Sequence, residues 1–245
     1  MVILFAPSEG KRPGGELPPL ELSSLIFPDL YPQRRSVLEL YGALVGSSSN
    51  DALSELFGLK DPSEFERYKT PLESAPAMKA VLRYDGVAYD YLDYPSLPPE
   101  AQEYIDRNVI LFSNLFGPIG AGDQIPDYKL KQGSSIGGFA PEKHYRNHFS
   151  EALDEWIGER EILDLRAGFY DKFYIPKNPP VTLKFLKEGK VVSHWAKAYR
   201  GIVLREAALH AIGSVEALMV HAFEGLEMID CIETKKKKEI VYRIV

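Results

Sequence analysis

Lys197, Gly201 and Arg205 are spaced by four in a stretch that reads as a helix from about Lys197 to Ile212. That spacing puts all three within an arc of about 80° on one face. Two cations flanking a glycine let a phosphate approach a helix closely, and Arg200 sits on the same turn. The same residues also fit a solvated cationic face with Gly201 at a packing contact. Either way some close approach is needed there, because glycine costs on the order of 1 kcal/mol relative to alanine in a helix interior. Anion-binding chemistry recurs in Phe112–Gly133, FSNLFGPIGAGDQIPDYKLKQG. Gly117, Gly120 and Gly122 around Pro118 allow positive φ and close backbone approach, and Ser113 and Asn114 can cap a short helix. The alternation of Tyr128-Lys129-Leu130-Lys131-Gln132 places Lys129 and Lys131 on one side of an expected edge strand. Free N–H groups beside lysines make an anion site. The plainer alternative is a strand-turn-strand corner with solvated lysines.

The remaining candidates sit at expected strand ends. Val2-Ile3-Leu4-Phe5 reads as a central strand, and the surface loop Ala6–Gly15 (APSEGKRPGG) leaves its carboxyl end with Ser8, Lys11 and Arg12. Ligands bind at such ends in α/β layers, although the Gly-x-x-x-x-Gly-Lys-Ser/Thr spacing of a phosphate loop is absent. Val109–Phe112 is a second short apolar run, and Glu161–Leu165 is a third that delivers Arg166 beside Gly168 and Tyr170. Thr182–Leu186 and Val191–Trp195 alternate around Lys187-Glu188-Gly189-Lys190, a hairpin signal, and the second strand leads Ser193 and His194 into the cationic helix.

Helices are expected over Ser36–Val45, over Asn50–Leu59 with Asn50 as cap, from Ser74 to Leu82, from Pro98 to about Arg107 and over Pro141–Gly158. The last carries His144 and His148 four apart, with no Glu between them and no third ligand in sequence, so neither a metal nor another cofactor is expected. Tyr84, Tyr89, Tyr91 and Tyr94 could stack bases, but their acidic neighbours favour core and rim packing. Gly225–Ile232 and Glu239–Val245 read as a hairpin with a solvated tip at Lys235–Lys238.

The chain has 245 residues, 45% hydrophobic and 26% charged, with no linker-like stretch, so one globular domain over 1–245 is expected. The single Cys231 fits a reducing compartment. No run approaches the ~18 apolar residues of a membrane span, which points to a cytoplasmic, membrane-free protein, read as a monomer. A net charge of −6 argues mildly against nucleic acid. Its distribution matters more: Lys184–Arg205 is basic, whereas Tyr84–Asp106 is acidic.

Six collinear blocks carry a family resemblance: Met1–Lys11 (MVILFAPSEGK), Tyr84–Leu92 (YDGVAYDYL), Phe112–Gly133, Leu163–Phe173 (LDLRAGFYDKF), Ser193–Arg205 (SHWAKAYRGIVLR) and Glu239–Arg243 (EIVYR). Together they resemble the YaaA family of peroxide-stress proteins. The resemblance implies a cytosolic protein of the oxidative-stress response with a compact α+β fold, a mixed or antiparallel central sheet flanked by helices, a helix-hairpin-helix-like element and a positive cleft that binds DNA. His148 and the order Gly117-Pro118 depart from the family pattern. Two functions follow as expectations. The first is backbone-directed binding of duplex or branched DNA through Lys11, Lys129, Lys131, Arg166, Ser193, Lys197, Arg200 and Arg205, with Gly117, Gly120 and Gly201 allowing close approach. The second is an enzyme acting on a small phosphorylated or nucleotide ligand near Ser8, Lys11, Arg166, Ser193, Lys197 and Arg205. No nucleophile elbow or metal triad names a catalytic residue, and a scaffold or iron-handling partner is a third class.

Overall fold

Val2–Phe5 and Val109–Ser113 are buried at every position. That pattern requires cover on both faces of a sheet, which parallel interior strands receive. The computed structural model, which describes residues 1–245 apart from the side chains of Ser193 and His194, pairs these two strands in parallel. Val2–Phe5 pairs in parallel on its other side with Ile162–Leu165, and the sheet continues through Val181–Lys187 and Lys238–Ile244, both parallel. Antiparallel strands close the two edges, Leu226–Glu233 beside Lys238–Ile244 and Gly117–Gly120 beside Val109–Ser113. A two-residue strand, Lys190–Val191, folds back on Val181–Lys187 and completes eight strands.

The expected mixed sheet flanked by helices is therefore present, with a parallel centre and antiparallel rims. The main helices are Tyr31–Ser47, Asn50–Phe57, Val87–Leu92, Pro99–Asn108, Pro141–Ile157, Ser193–Leu209 and Val215–Val220. None is long and apolar enough to cross a membrane. Tyr84, Tyr89 and Tyr94 are core residues, as their acidic neighbours suggested, while Tyr91 is exposed.

Several local expectations need correction. The glycine segment is a β-hairpin, not a helix-flanked hairpin. Gly117–Gly120 is a buried strand, the chain reverses at Asn114-Leu115-Phe116, and Ser113 Oγ accepts the Leu115 and Phe116 N–H groups. Gly117 has φ 71°, and the Tyr145 ring fills the space of its missing side chain. Its freedom therefore serves packing, not anion approach. Tyr31–Ser47 is followed after two residues by Asn50–Phe57, where Ser49 rather than Asn50 caps the second helix.

Tyr128–Gln132 is not a strand. Its alternation is real, with Tyr128 and Leu130 buried, but its backbone partners come from elsewhere. Tyr41 Oη donates to the Lys129 carbonyl, and Lys131 N–H donates to Leu56 O. Between Ser74 and Leu82 only Ala80–Arg83 is helical, because Ala77–Lys79 pairs as a strand with Gln124–Pro126. The helix expected from Lys197 begins at Ser193, so the preceding strand stops at Val191 and Trp195 is helical.

Gly201 is at a packing contact. Helix Ser193–Leu209 crosses Val87–Leu92 so closely that a Cβ at 201 would run into the Ala88 carbonyl, with Leu92 N only 3.1 Å away. Alanine gains about 1 kcal/mol of helix propensity, but backbone cannot yield to it as a flexible side chain can. Gly201→Ala should therefore lower stability by about 1–3 kcal/mol in urea denaturation; an alanine variant more stable than the parent would exclude this helix crossing.

Candidate functional site

Chain direction in the sheet creates one concave place. From Val2–Phe5 the chain moves to the parallel neighbour Val109–Ser113 on one side, then returns across it to Ile162–Leu165 on the other. Crevices form outside the carboxyl ends of parallel strands where the order reverses in this way. A cleft of about 440 Å³ opens there, between the Ala6–Gly10 loop, the Asp85–Tyr89 turn, Ala167 and Tyr170 beyond the Ile162–Leu165 strand, and Lys197 and Arg200 on the long helix.

The loop after the first strand is held rigidly. Gly10–Lys11 pairs antiparallel with Tyr84–Asp85, Arg12 N–H donates to Arg83 O at 2.8 Å, and Tyr89 Oη donates to Ala6 O at 2.9 Å. Gly86 has φ 141°, and Ser8 Oγ lies 2.7 Å from where its Cβ would be, so the two turns meet without a side chain between them. The Arg83 guanidinium donates to the carbonyls of Arg12, Pro76 and Ile125.

Beside the cleft Lys11 is 8% exposed. Its ammonium lies 4.3 Å from the Tyr128 ring centre and 5.4 Å from that of Tyr84. Burial, reinforced by the nearby charge of Lys129 and opposed by Glu9, lowers its pKa to about 7. Beneath it runs a chain of hydroxyls, Tyr84 Oη to Tyr128 Oη at 3.0 Å and Tyr128 Oη to Ser113 Oγ at 2.7 Å. Burial raises Tyr84 to about 12 and also holds Tyr128 well above the ordinary phenol value. Both phenols stay neutral and present polar oxygens, not anions. Glu9 is held from the other side, accepting from Gln132 N–H at 2.7 Å and pairing with Lys129 Nζ at 3.3 Å.

The structure separates the sequence-nominated cations into those that face ligand space and those spent on the frame. Lys197 is exposed and Arg200 half-buried, and among the described residues neither pairs with an acid. Burial lowers the Arg200 pKa, with Asp164 opposing. Arg166 is not available. Its buried guanidinium grips Asp164 through two bonds, Nε to Oδ1 at 2.9 Å and a terminal nitrogen to Oδ2 at 2.7 Å, and donates to the Tyr170 and Tyr174 carbonyls. Arg205 donates to the Leu92 and Asp93 carbonyls at the end of the short helix, so it closes the contact made by Gly201 instead of reaching a phosphate.

Lys131 is exposed, its stem lying over Gly58 in the next groove, which shares Gln132 with the cleft. Gly117 and Gly120 are buried in the edge strand. The side chain of Ser193 lies outside the described residues. Sequence reasoning missed Asp85, Gly86 and Ala167 as cleft residues. Gly86 was the available signal, a glycine between a strand-like and a helical segment inside a stretch set aside as acidic.

A family model described as "Peroxide stress protein YaaA" matches residues 1–230. The chain is 45% identical over 245 residues to an uncharacterized protein of Campylobacter jejuni, covering both chains completely. It is 39% identical over 219 residues to a UPF0246 protein of Corynebacterium efficiens, with 85% of each chain covered. A UPF0246 protein of Streptomyces coelicolor is 36% identical over 215 residues, covering 84% of this chain and 82% of its own.

Lys11 gives the site a pH signature. In the unfolded chain a lysine keeps its ordinary pKa near 10.4, so between pH 7 and that value the unfolded state binds more protons than the folded one. Stability should therefore rise with pH across this window, by at most about 1.4 kcal/mol per pH unit, and the penalty is fully present below pH 7. Lys11→Met should stabilise the protein at pH 6 and flatten the profile between pH 7 and 10; parallel profiles for the two proteins would mean that Lys11 is solvated.

Proposed function

The chain belongs to the peroxide stress protein YaaA family, and from that premise we propose that it serves the peroxide-stress response by binding DNA, with phosphates at Lys197 and Arg200 and one unpaired nucleotide in the cleft. The observation that carries this reading is the position of those two cations. They are one helical turn apart, are not engaged by acids among the described residues, and both line the cleft at the strand ends. A volume of about 440 Å³ lies within the roughly 300–1,000 Å³ of small-molecule sites and is far too small for a duplex. Paired bases stay stacked, whereas a gap, branch or bulge presents a nucleotide at little unstacking cost. Tyr89 and Tyr170 supply aromatic surface in the wall.

Since Arg166 and Arg205 are engaged in the frame, few phosphates are contacted. With Lys197 and Arg200 in the cleft wall and Lys131 in the adjoining groove, log affinity should fall with log salt at a slope of about −2 to −3. A second reading, an enzyme acting on a free phosphorylated or nucleotide ligand, is favoured by Glu9 and Asp85 on the same rim, which repel an extended polyanion more than a single phosphate.

Fluorescence anisotropy with gapped, branched and intact duplex DNA across a salt series separates these readings. Gapped or branched DNA should bind at least about tenfold tighter than duplex, and the Lys197→Ala/Arg200→Ala double variant should lose roughly 10- to 100-fold. The absence of binding to any DNA at low salt would overturn the first reading. Saturable binding of mononucleotides alone, abolished in the double variant, would establish the second.

A further inference from the structure

Beyond the cleft, the long helix holds a second group of chemically capable side chains at its other end. Thirteen residues separate Lys197 from His210, about 20 Å along a helical path, so the two places are distinct. Glu206 and His210 lie one turn apart and share a face. The chain then reverses at Ala211, which has φ 48°. Ile212 N–H donates back to Ala207 O, Tyr104 Oη donates to Ile212 O, and the N-terminal ammonium of Met1 donates to Gly213 O. Ser214 caps the helix Val215–Val220, and the next residue is His221. This fixed reversal brings His221 onto the end of the long helix.

There, His210 Nε2 lies 3.4 Å and His221 Nε2 3.3 Å from the same oxygen, Glu206 Oε2. The donor atoms of all three residues fall within 4.8 Å of one another. The imidazole rings are 4.8 Å apart, and His221 rests edge-on against Phe223. Among the described residues no lysine or arginine pairs with Glu206.

We propose that Glu206, His210 and His221 bind a divalent first-row transition-metal ion, a site that goes beyond the DNA reading and does not depend on it. Such an ion sits about 2.1 Å from each donor, and tetrahedral angles then separate the donors by about 3.4 Å. The two histidine–carboxylate distances already have that value. The two imidazole donors, within 4.8 Å of each other, then need to draw together, and their side chains are partly solvent-facing and able to turn. Two imidazoles with one carboxylate suit zinc, cobalt, nickel or iron(II), whereas magnesium and calcium take oxygen donors. The exposure of His210 leaves the remaining coordination position to water. His144 and His148 provide an internal contrast. Their rings are 4.5 Å apart, but His144 Nε2 is engaged by Gln33 O at 3.0 Å and, among the described residues, no third donor joins them.

The test uses the full chain after chelator treatment, titrated with Co(II) and followed by visible absorption, with Zn(II) added to displace it. One equivalent of Co(II) should produce d–d bands that Zn(II) bleaches, and Zn(II) should raise the melting temperature. His221→Ala and Glu206→Gln should weaken binding at least about tenfold with the circular dichroism spectrum unchanged. His210→Ala, at an exposed position, gives the same readout with less risk to folding. Three results would overturn the site: no spectral or melting change with either ion near millimolar concentration, full binding in a His210→Ala/His221→Ala double variant, or loss of binding only in His144→Ala/His148→Ala.

Discussion

Irregular chain and short antiparallel strands around the sheet carry carbonyls that no neighbouring strand pairs, and in this fold inward-turned arginines supply the missing donors. Three guanidiniums are buried, those of Arg34, Arg83 and Arg166. Arg34 donates to the carbonyls of Ile26, Phe116 and Pro118 and lies over the Phe149 ring, with Asp123 nearby favouring its charge without a direct ion pair. Burial lowers its pKa to about 10, which still leaves it charged at neutral pH. Arg83 fastens the loop after the first strand to two other segments. Arg166 combines a bidentate carboxylate with two loop carbonyls. A guanidinium suits this work because its planar fork offers several donors and never loses its charge. Buried charge of this kind is costly unless its donors are used; the terminal nitrogens of all three guanidiniums are bonded, and only Arg83 Nε is left without a partner among the described residues.

The cleft follows from that frame. With the first loop pinned to Arg83 and the turn at Asp85–Tyr89 pinned through Tyr89 and Ser8, the concavity at the strand ends does not depend on a ligand to form it. Inside it the balance of charge is local. Lys11 is desolvated, Lys129 is tied to Glu9, and Lys197 and Arg200 project from the opposite wall. An overall charge of −6 does not exclude a local cationic wall, because Lys197 and Arg200 stand together there, facing the acids Glu9 and Asp85 on the same rim. The long helix supports both sites, presenting the cleft cations near its start and the Glu206-His210 pair at its end.

Period and punctuation in the chain were sufficient for the centre of the fold. Short apolar, β-prone runs fit buried strands, so Val2–Phe5, Val109–Phe112 and Glu161–Leu165 announced the sheet that the site stands on, though not that its centre is parallel. The helix Pro141–Ile157 and the closing lysine-tipped hairpin were equally clear from their spacing. Collinear blocks carried the family relationship. The cleft itself was half visible, since a loop leaving a central strand and cations on a helix were the right residues for it.

What the chain order could not contain was the use to which each polar group is put. Lys197 and Arg205 look alike on a helical wheel, yet one faces ligand space and the other satisfies the carbonyls of a helix that lies more than a hundred residues away in sequence. Arg166 looked like a phosphate contact until Asp164, two residues before it, was seen to hold it inside. The Gly117 turn and the Tyr128–Gln132 alternation could be read as ligand features or as a plain strand-turn-strand corner; the turn is such a corner, and the partners of the two segments are a distant tyrosine ring, Tyr41 and Leu56. Local sequence therefore determined the central strands and most of the longer helices, because burial period is a property of neighbours along the chain, but not segments such as Ala77–Lys79 and Tyr128–Gln132 whose backbone partners are distant. Only the tertiary structure decided which charges are free, because a charge is neutralised by whatever the fold brings within a few ångströms of it.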